Sequence, residues 1–198
     1  MKVTIMTKQE LRQLYRSERQ QLSVDELRTF NHQLLAHLKG FDWSKCQYCH
    51  VYLPIVRNQE PDTLAFISWM QEVFPSVRLV ISQSHAEDRS MSHYLLDNTT
   101  TYLENKWGIP EPVSGTRVDE MLLDVVLVPL LICDQSGNRV GYGKGFYDRF
   151  LKKCRPDVQK TGLSFFEPVE KISDVDPYDI ALDYCITPRH VIYFKSGG

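Results

Sequence analysis

The chain has 198 residues and a formal net charge of -2, with 42% hydrophobic and 24% charged residues, which is the composition of a globular protein with one good core. This charge excludes an overall basic field for nucleic acid, and no apolar run reaches the ~18 residues of a membrane span, so we expect neither partner. The N-terminal residues lack the apolar core of a signal peptide and the five cysteines are an odd number, which predicts a cytoplasmic protein without a complete disulfide framework.

A helix with a basic face is predicted near the start of the chain. Thr7 can cap a helix that runs to about Gln21. Lys8 and Arg12 are four residues apart and therefore share one face of this helix. At this point two interpretations stay open: a solvated basic surface, which is the usual fate of such charges, and a pair of cations presented to a ligand.

A second amphipathic helix is predicted directly after the first. Residues 23–26 form a capping-box pattern, and Gly40 is a suitable residue to end the helix. The predicted apolar stripe consists of Val24, Leu27, Phe30, Leu34, Leu35 and Leu38. We expect this stripe to face the core.

A β-α-β unit follows the second helix. Residues 47–53 and 77–82 are predicted to be buried parallel strands, and Asp62 or Thr63 caps the helix between them. The apolar face of that helix is predicted to contain Leu64, Ile67, Met70 and either Val73 or Phe74. The CxxC at residues 46–49 has no second CxxC to complete a zinc site, so ordinary packing is favoured over a redox or metal role.

The remaining elements predict one α/β domain over residues 1–198, with tails at 1–6 and 195–198. Loops are expected at residues 84–92, 107–112 and 166–178. Further strands are expected at residues 91–96, 125–131, 160–166, 181–186 and 190–194. Ligands of open α/β sheets bind beyond the carboxyl ends of the strands. The loops of interest therefore follow Leu53, Ser82, Leu131 and Ile186.

A glycine-rich loop between a strand and a helix is the most informative motif. The buried strand at residues 125–131 leads through a polar turn at residues 134–138 to Gly141, Gly143 and Gly145, and a short helix is predicted at 146–153. Glycines let a ligand approach the main chain, and Lys144 adds a cation suited to phosphate.

The spacing of this loop matches neither common nucleotide fingerprint. A Walker A loop and the dinucleotide pattern both need glycines at other positions. Phosphate binding is favoured over the alternative, a glycine-rich hairpin with a solvated lysine.

The run from Leu127 to Arg149 resembles the signature of the 5-formyltetrahydrofolate cyclo-ligase family. Four other segments agree and occur in the expected order along almost the whole chain: Lys8 to Arg12, Tyr52-Leu-Pro with Glu60 to Thr63, Trp107 to Pro112, and Leu182 to Pro188. The central motif is long enough to be specific. Position 142 departs from the pattern, because Tyr142 stands where the family often has Arg or Met.

The resemblance implies both a fold and an activity. The fold is a three-layer α/β sandwich with a mostly parallel sheet, related to the CoA-transferase and ribose-phosphate isomerase type. The activity is ATP- and Mg2+-dependent closure of 5-formyltetrahydrofolate to 5,10-methenyltetrahydrofolate, with release of ADP and phosphate. We expect a monomer that acts on small-molecule substrates.

This chemistry explains why no triad of a nucleophile, a base and an acid stands out in the sequence. A formamide oxygen is a poor leaving group, and phosphorylation of that oxygen makes it a good one. The neighbouring amine can then attack the carbon, and neither step needs a protein nucleophile. Positioning and neutralisation of charge should supply most of the catalysis.

The resemblance also implies a set of functional residues. Those expected to act in catalysis are Lys144, Arg139 and Glu60. Those expected to bind ATP are Lys8, Arg12, Arg139, Val140, Gly141, Tyr142, Gly143, Lys144, Gly145, Phe146 and Tyr147. Those expected to bind the folate are Leu53, Glu60, Trp107, Tyr142, Gly143, Lys144, Gly145, Phe146 and Tyr147. Those expected to hold Mg2+ are Asp148 and Asp183.

Structural roles compete with several of these assignments. Asp148 can be a helix-dipole partner, Asp183 a turn residue at a strand end, and Glu60 a surface charge before a helix. Trp107 can fill the edge of the core instead of stacking on a folate ring.

Two other functions also remain open. The first is a non-catalytic binder of folate or nucleotide. The second is a sugar-phosphate isomerase or acyl transferase of the same fold, which the GKG loop and the paired aspartates disfavour.

Overall fold

The computed structural model of the protein describes residues 5–104 and 110–194. Trp107 and the predicted tail residues 1–4 and 195–198 lie outside the described residues. Met6, which was predicted to belong to a tail, forms a parallel bridge with Ile172.

A mixed, mostly parallel sheet of eight strands forms the centre of the fold, as predicted. The strands of the described chain are β1 (Tyr48–His50), β2 (Arg78–His85), β3 (Ser90–Leu95), β4 (Thr101–Glu104), β5 (Pro110–Ser114), β6 (Arg117–Val118), β7 (Val125–Pro129), β8 (Ile132–Cys133), β9 (Arg139–Val140), β10 (Gln159–Leu163), β11 (Tyr184–Ile186) and β12 (Val191–Tyr193). The order in the large sheet is β12-β11-β10-β7-β1-β2-β3-β6. The four pairs among β11, β10, β7, β1 and β2 are parallel, and the outer pairs are antiparallel.

Helices cover both faces of this sheet and give the expected three layers. The helices are α1 (Lys8–Gln20), α2 (Val24–Lys39), α3 (Leu64–Val73) and α4 (Phe146–Leu151), with short 3-10 turns at Val56–Asn58 and Glu120–Leu122. Alternate residues of each strand point to opposite faces. Cys49, Leu79 and Leu127 pack in the core under α2 and α3, whereas Val80 and Val126 pack against α4. The α/β class is therefore confirmed.

Local capping explains where the first two helices begin. Thr7 and Glu10 form a capping box at the start of α1, and Ser23 and Glu26 form one at the start of α2. Both predicted starts are confirmed.

The buried faces of α2 and α3 differ in part from the prediction. Val24, which was expected in the apolar stripe, is exposed, because it lies in the first turn of α2, ahead of the buried Leu34 and Leu38. In α3 the buried side chains are Phe66, Ile67 and Met70. Leu64 and Val73 are about half exposed.

A β-hairpin replaces the predicted loop at residues 84–92. Strands β2 and β3 pair antiparallel through this region, with Ser84 opposite Met91 and His85 opposite Ser90. The prediction was wrong because the ends of β2 and β3 near the turn carry polar side chains, and a run of polar residues is typical of a loop. The turn itself is short, and Arg89 adopts a left-handed φ of 59° there.

The segment predicted as a proline-stiffened loop at residues 107–112 ends in a strand. β5 pairs with β4, and Tyr102 lies opposite Pro112. Proline is tolerated in a two-stranded edge because its missing N–H can face away from the partner strand.

The CxxC residues pack in the core, as favoured from sequence. Cys49 is fully buried under α2 and α3, and Cys46 is partly buried against the same cluster. All five cysteines are free thiols. Among the described residues, no helix combines the length and the apolarity that crossing a bilayer requires.

Candidate active site

A cavity of about 880 Å3 lies at the carboxyl edge of β1 and β7. The segments that follow these two strands meet here, together with one face of α1 and the start of α4. The loops after Leu53 and Leu131 thus contribute as predicted, and Ser82 lines the wall. In the described chain, the loop after Ile186 does not line the cavity.

Most of the residues predicted for the site line this one cavity. They are Lys8, Arg12, Leu53, Glu60, Arg139, Gly141, Tyr142, Gly143, Lys144, Gly145, Phe146, Tyr147 and Asp148. These residues come from three separate stretches of sequence, at 8–12, 53–60 and 139–148, and the fold brings them together.

Val140 and Asp183 do not line the cavity. Val140 is fully buried in the small core beneath the glycine loop, with Leu11 and Ile132. Asp183 lies just before β11, at the amino end of the sheet, where its carboxylate pairs with Lys160 Nζ at 2.8 Å. The structure therefore separates Asp183 from Asp148 and favours the structural role for Asp183.

Cations from α1 hold the glycine loop. Arg12 Nε donates to the carbonyl of Gly141 at 2.9 Å, and Lys8 Nζ pairs with Asp179. Lys144 is exposed at the rim. Lysine and arginine side chains thus line the side of the cavity that the glycine loop forms, which suits an anionic ligand.

The glycines of the loop serve different needs. Gly143 and Gly145 have φ angles of +81° and +70°, in the left-handed region that favours glycine. A Cβ on Gly143 would also lie 3.2 Å from Arg12 Cζ. Gly141 has no such φ, and a Cβ built there meets no heavy atom of the described chain within 4 Å. The space that a Cβ on Gly141 would occupy is therefore open, and Gly141 itself lines the cavity.

The buried Arg139 forms an ion pair with the partly exposed Asp148 at the base of the loop. Arg139 Nη2 donates to Asp148 Oδ1 at 2.6 Å, and Nη1 donates to the carbonyl of Ile180. Burial lowers the pKa of the Arg139 guanidinium, and the neighbouring Asp148 carboxylate opposes that shift. The pair fixes Asp148, so one carboxylate faces the cavity in a defined position.

A buried carboxylate marks the opposite side of the cavity. Glu60 is only 7% exposed, and its Oε2 accepts from the N–H of Ile55 at 2.8 Å. The hydroxyl of Tyr142 donates to Glu60 Oε1 and accepts from Arg19 Nη1 at 3.1 Å. Burial raises the pKa of the Glu60 carboxyl, and burial likewise raises the pKa of the Tyr142 phenol. Glu60 thus lines the cavity and is not a surface charge.

Sequence reasoning missed Arg19 and a row of polar residues on three neighbouring strands. Arg19 follows Lys8 and Arg12 at helical spacing, which is a signal that could have indicated it. In the row, His50 Nε2 and His93 Nδ1 each lie 2.7 Å from Ser82 Oγ, and His50 and Ser82 line the cavity. No sequence pattern links these three residues, because the pairing of three strands brings them together.

Burial disfavours the charged form of both histidines. Burial lowers the pKa of His50 well below its usual value, and the neighbouring His93 adds to that shift. Burial lowers the pKa of His93 to about 4, against the opposing effect of Glu120.

The fold and the cavity define an α/β protein whose ligand site joins a cationic glycine loop to a buried carboxylate. Residues 4–188 match the sequence model of the 5-formyltetrahydrofolate cyclo-ligase family. The chain belongs to this family, and the prediction that it is an enzyme of the ligase class is confirmed.

Individual relatives agree with the family match. A Mycolicibacterium smegmatis protein named 5-formyltetrahydrofolate cyclo-ligase is 27% identical over 158 residues, covering 78% of this chain and 80% of that protein. The NMR structure of Aquifex aeolicus 5,10-methenyltetrahydrofolate synthetase superimposes with a TM-score of 0.81 at 29% identity, covering 98% of this chain and 95% of the other. A Mycoplasma pneumoniae synthetase shares the fold, with a TM-score of 0.72 at 22% identity over 91% of this chain and 98% of the other.

Proposed function

We propose that the protein closes 5-formyltetrahydrofolate to 5,10-methenyltetrahydrofolate at the expense of ATP, releasing ADP and phosphate. The observation that carries this proposal is that one cavity joins a cation-lined glycine loop to the buried Glu60 and Tyr142 pair. The first part suits a triphosphate, and the second suits a polar flat ring. Family membership supports the same assignment.

The first step transfers the terminal phosphoryl group of ATP to the formyl oxygen. The bond between that phosphorus and the leaving oxygen of ADP breaks as the new phosphorus–oxygen bond forms. Lys144, Lys8 and Arg12 reduce the charge repulsion between the phosphates and hold the donor in line. The open space beside Gly141 lets the phosphates approach the main chain.

The second step closes the ring. The neighbouring amine of the folate attacks the activated carbon, and the carbon–oxygen bond breaks so that the oxygen leaves within phosphate. The amine loses its proton, which the departing phosphate can carry. The protein contributes orientation and exclusion of water, for which the aromatic walls formed by Tyr147, Phe146 and Tyr52 are suited.

Glu60 holds the folate in this scheme. An ionised carboxylate accepts hydrogen bonds from adjacent N–H groups on the edge of a pterin ring. Each of its oxygens already accepts one bond, from Ile55 or from Tyr142, and keeps a lone pair for the ligand.

Mg2+ fits the cavity through one carboxylate. Protein Mg2+ sites use one or two carboxylates together with phosphate oxygens and water. Asp148 lines the cavity, and its Oδ2 accepts no hydrogen bond from the described residues. Those residues form no cluster of three or more side chains that could hold a metal alone, so phosphate oxygens must complete the site. Bound there, Mg2+ would neutralise phosphate charge.

The test is an absorbance assay. Pure protein, 5-formyltetrahydrofolate and Mg-ATP should give an ATP-dependent rise in the near-ultraviolet absorbance of the methenyl product. Binding of both ligands without any rise would reject the ligase and leave the non-catalytic binder.

Lys144→Ala tests the role of the loop. We expect kcat to fall by about 100-fold or more, because one charge that stabilises the transferring phosphoryl group is lost, while the fold stays intact. Lys153→Ala is the control, because Lys153 is an exposed lysine that pairs with Glu120 and does not line the cavity. Equal turnover of the two variants would refute the role of Lys144.

We also propose that the protein acts in the cytoplasm as a monomer of one domain. The five free thiols, four of them buried, support a reducing compartment. Size-exclusion chromatography with light scattering measures the oligomeric state directly.

A further inference from the structure

Arg19 is a fully buried cation that the reaction scheme above does not use. It lies near the end of α1 and is 1% exposed. Its Nη1 donates to the Tyr142 hydroxyl at 3.1 Å, and its Nη2 donates to the carbonyl of Leu130. A buried charge is strongly unfavourable unless a charge of opposite sign and good hydrogen bonds compensate it. Arg19 therefore requires a negative partner inside the protein.

Glu60 is the carboxylate to which hydrogen bonds connect Arg19. The Tyr142 hydroxyl accepts from Arg19 and donates to Glu60, so it lies between the two buried charges. Residues 19 and 142 are 123 positions apart, and residues 142 and 60 are 82 apart. One chain of hydrogen bonds thus joins α1, the glycine loop and the segment after β1.

We propose that Arg19 is the counter-charge of Glu60 and acts through Tyr142 as a positioning residue for the folate-binding carboxylate. This inference rests on the proposed function. Arg19 keeps the buried Glu60 ionised, and Tyr142 fixes the orientation of the Glu60 carboxylate. The carboxylate can then accept hydrogen bonds from two adjacent donors of a flat heterocycle. Position 142 carries no cation itself, and the positive charge is supplied from α1, behind the tyrosine.

The groups around Glu60 support this assignment. Burial raises the pKa of the Glu60 carboxyl, whereas the Tyr142 hydrogen bond, the Ile55 N–H and the charge of Arg19 lower it. Tyr52 and Tyr147 also face Glu60, and burial raises the pKa of both phenols, so they stay neutral. Of these neighbours, Arg19 is the one that carries a charge.

A neighbouring arginine provides a matched control. Arg16 lies one turn earlier on α1, is exposed, and places its guanidinium carbon 5.5 Å from the centre of the Tyr142 ring. Arg16→Met removes the positive charge beside the Tyr142 ring and leaves the hydrogen bonds of the Tyr142 hydroxyl in place. Arg19→Gln removes the buried charge but keeps an amide that can donate to the Leu130 carbonyl.

The direct test measures the pKa of Glu60 in the full chain by NMR. Carbon-13 labelling of the glutamate carboxyl groups, with the signal assigned by its loss in Glu60→Gln, follows the titration without any activity. We expect the pKa of Glu60 to rise by about one unit or more in Arg19→Gln, to recover in part in Arg19→Lys, and to stay within about 0.3 units in Arg16→Met. An unchanged pKa in Arg19→Gln would overturn the proposal.

Two further measurements separate a charge link between Arg19 and Glu60 from a purely structural role of Arg19. Tyr142→Phe keeps Arg19 and its bond to Leu130 but breaks the link, so it should raise the pKa of Glu60 too, and no rise there would also overturn the proposal. In the cyclisation assay, the acidic limb of kcat/KM for the folate should move to higher pH in Arg19→Gln, with KM for ATP unchanged. An inactive wild type would reject the proposed function, while the NMR titration would still decide the charge link.

Discussion

At the scale of single residues, Gly141 and Gly143 lie in the same loop, but glycine suits each position for a different physical reason. Gly143 has a left-handed φ, so alanine there should lower the free energy of unfolding by about 1–2 kcal/mol. Gly141 has room for a Cβ and an ordinary φ, so Gly141→Ala should fold at least as stably as the wild type. In the proposed complex with ATP, the same methyl group would occupy space that the phosphates need.

Gly141→Ala therefore separates stability from binding. We expect the variant to lose ATP affinity by on the order of tenfold or more, measured by isothermal titration calorimetry, while urea unfolding shows no loss of stability. Gly143→Ala supplies the comparison, because it is strained before any ligand binds. Wild-type ATP affinity in Gly141→Ala would show that this part of the loop does not face the nucleotide.

The two aspartates predicted as metal ligands should now behave differently. Asp148→Asn should raise the Mg2+ concentration needed for half-maximal activity, on the order of tenfold, because the charged carboxylate proposed to bind Mg2+ is lost. Asp183→Asn should instead cost about 1 kcal/mol of unfolding free energy, because Asp183 accepts from the Lys160 N–H and pairs with its ammonium group. A shifted Mg2+ dependence in Asp183→Asn would contradict this assignment.

Residue types alone could indicate the glycine loop but not the full set of charges around it. Lys144, Glu60 and Asp148 were predicted from the resemblance, and the fold brings them to one cavity. Arg19 was missed because its partners, Tyr142 and Leu130, lie more than a hundred residues away along the chain. Asp183 was assigned to the site from the resemblance alone, and the sequence does not say which edge of the sheet a residue at a strand end reaches.

At the scale of elements, α1 is the helix that holds the glycine loop. Its side chains contact Gly141, Tyr142 and Asp179, whereas α2 packs on the core cluster that contains Leu34, Leu38 and Cys49. Both helices start with a capping box, at Thr7 and at Ser23. The two boxes therefore form a matched pair, one near the site and one away from it.

Removing each cap should have equal effects on stability and unequal effects on function. Thr7→Ala and Ser23→Ala should each lower the free energy of unfolding by about 1 kcal/mol, measured in urea. Thr7→Ala should also raise KM for ATP, because fraying of the first turn moves Lys8 and Arg12. If Ser23→Ala raised KM as much as Thr7→Ala, α1 would have no special role in binding.

Elements that are set by residues close together in sequence could be predicted, and elements that form only by pairing with a distant segment could not. The caps of α1 and α2 are set by residues three apart, so sequence was enough. The β2–β3 hairpin was missed, because its polar side chains become a strand only when two chain segments pair. The exposure of Val24 and Leu64 likewise depends on how each helix is rotated against the sheet.

At the scale of the whole molecule, the buried histidines link stability to pH. In the folded state the pKa of His93 is about 4 and that of His50 is also lowered, whereas unfolded histidine titrates near 6.5. Above pH ~6.5 these histidines are neutral in the folded and in the unfolded protein. Below that pH the histidines of the unfolded protein bind more protons than those of the folded protein. Stability should therefore fall as the pH drops from about 6.5 towards 4, by up to about 1.4 kcal/mol per pH unit for each histidine.

Urea unfolding at about pH 7.5, 6.5 and 5.5 measures this slope. His93→Gln should reduce this slope, whatever the unfolding free energy of the variant at neutral pH. Glu60 acts in the opposite direction, because its raised pKa favours the folded state as it becomes protonated, so Glu60→Gln should steepen the fall. Equal unfolding free energies at all three pH values in the wild type would contradict the neutral histidine pair.

The overall architecture followed from sequence more fully than its details. The β-α-β spacing predicted a parallel unit, and the resemblance implied a mostly parallel sheet covered on both faces. Strands β1, β2 and β7 lie side by side in the observed sheet. The antiparallel edges were less visible, since β3 and β6 are stabilised by pairing and not by long apolar runs.

The most direct measurement follows the formyl oxygen itself. We propose that the cation-lined glycine loop lets this oxygen take a phosphoryl group and leave. With 5-formyltetrahydrofolate labelled by oxygen-18 in the formyl group, and with Mg-ATP and the pure protein, phosphorus NMR should show one labelled oxygen in the released phosphate. Unlabelled phosphate, with the heavy oxygen recovered in water, would contradict the account.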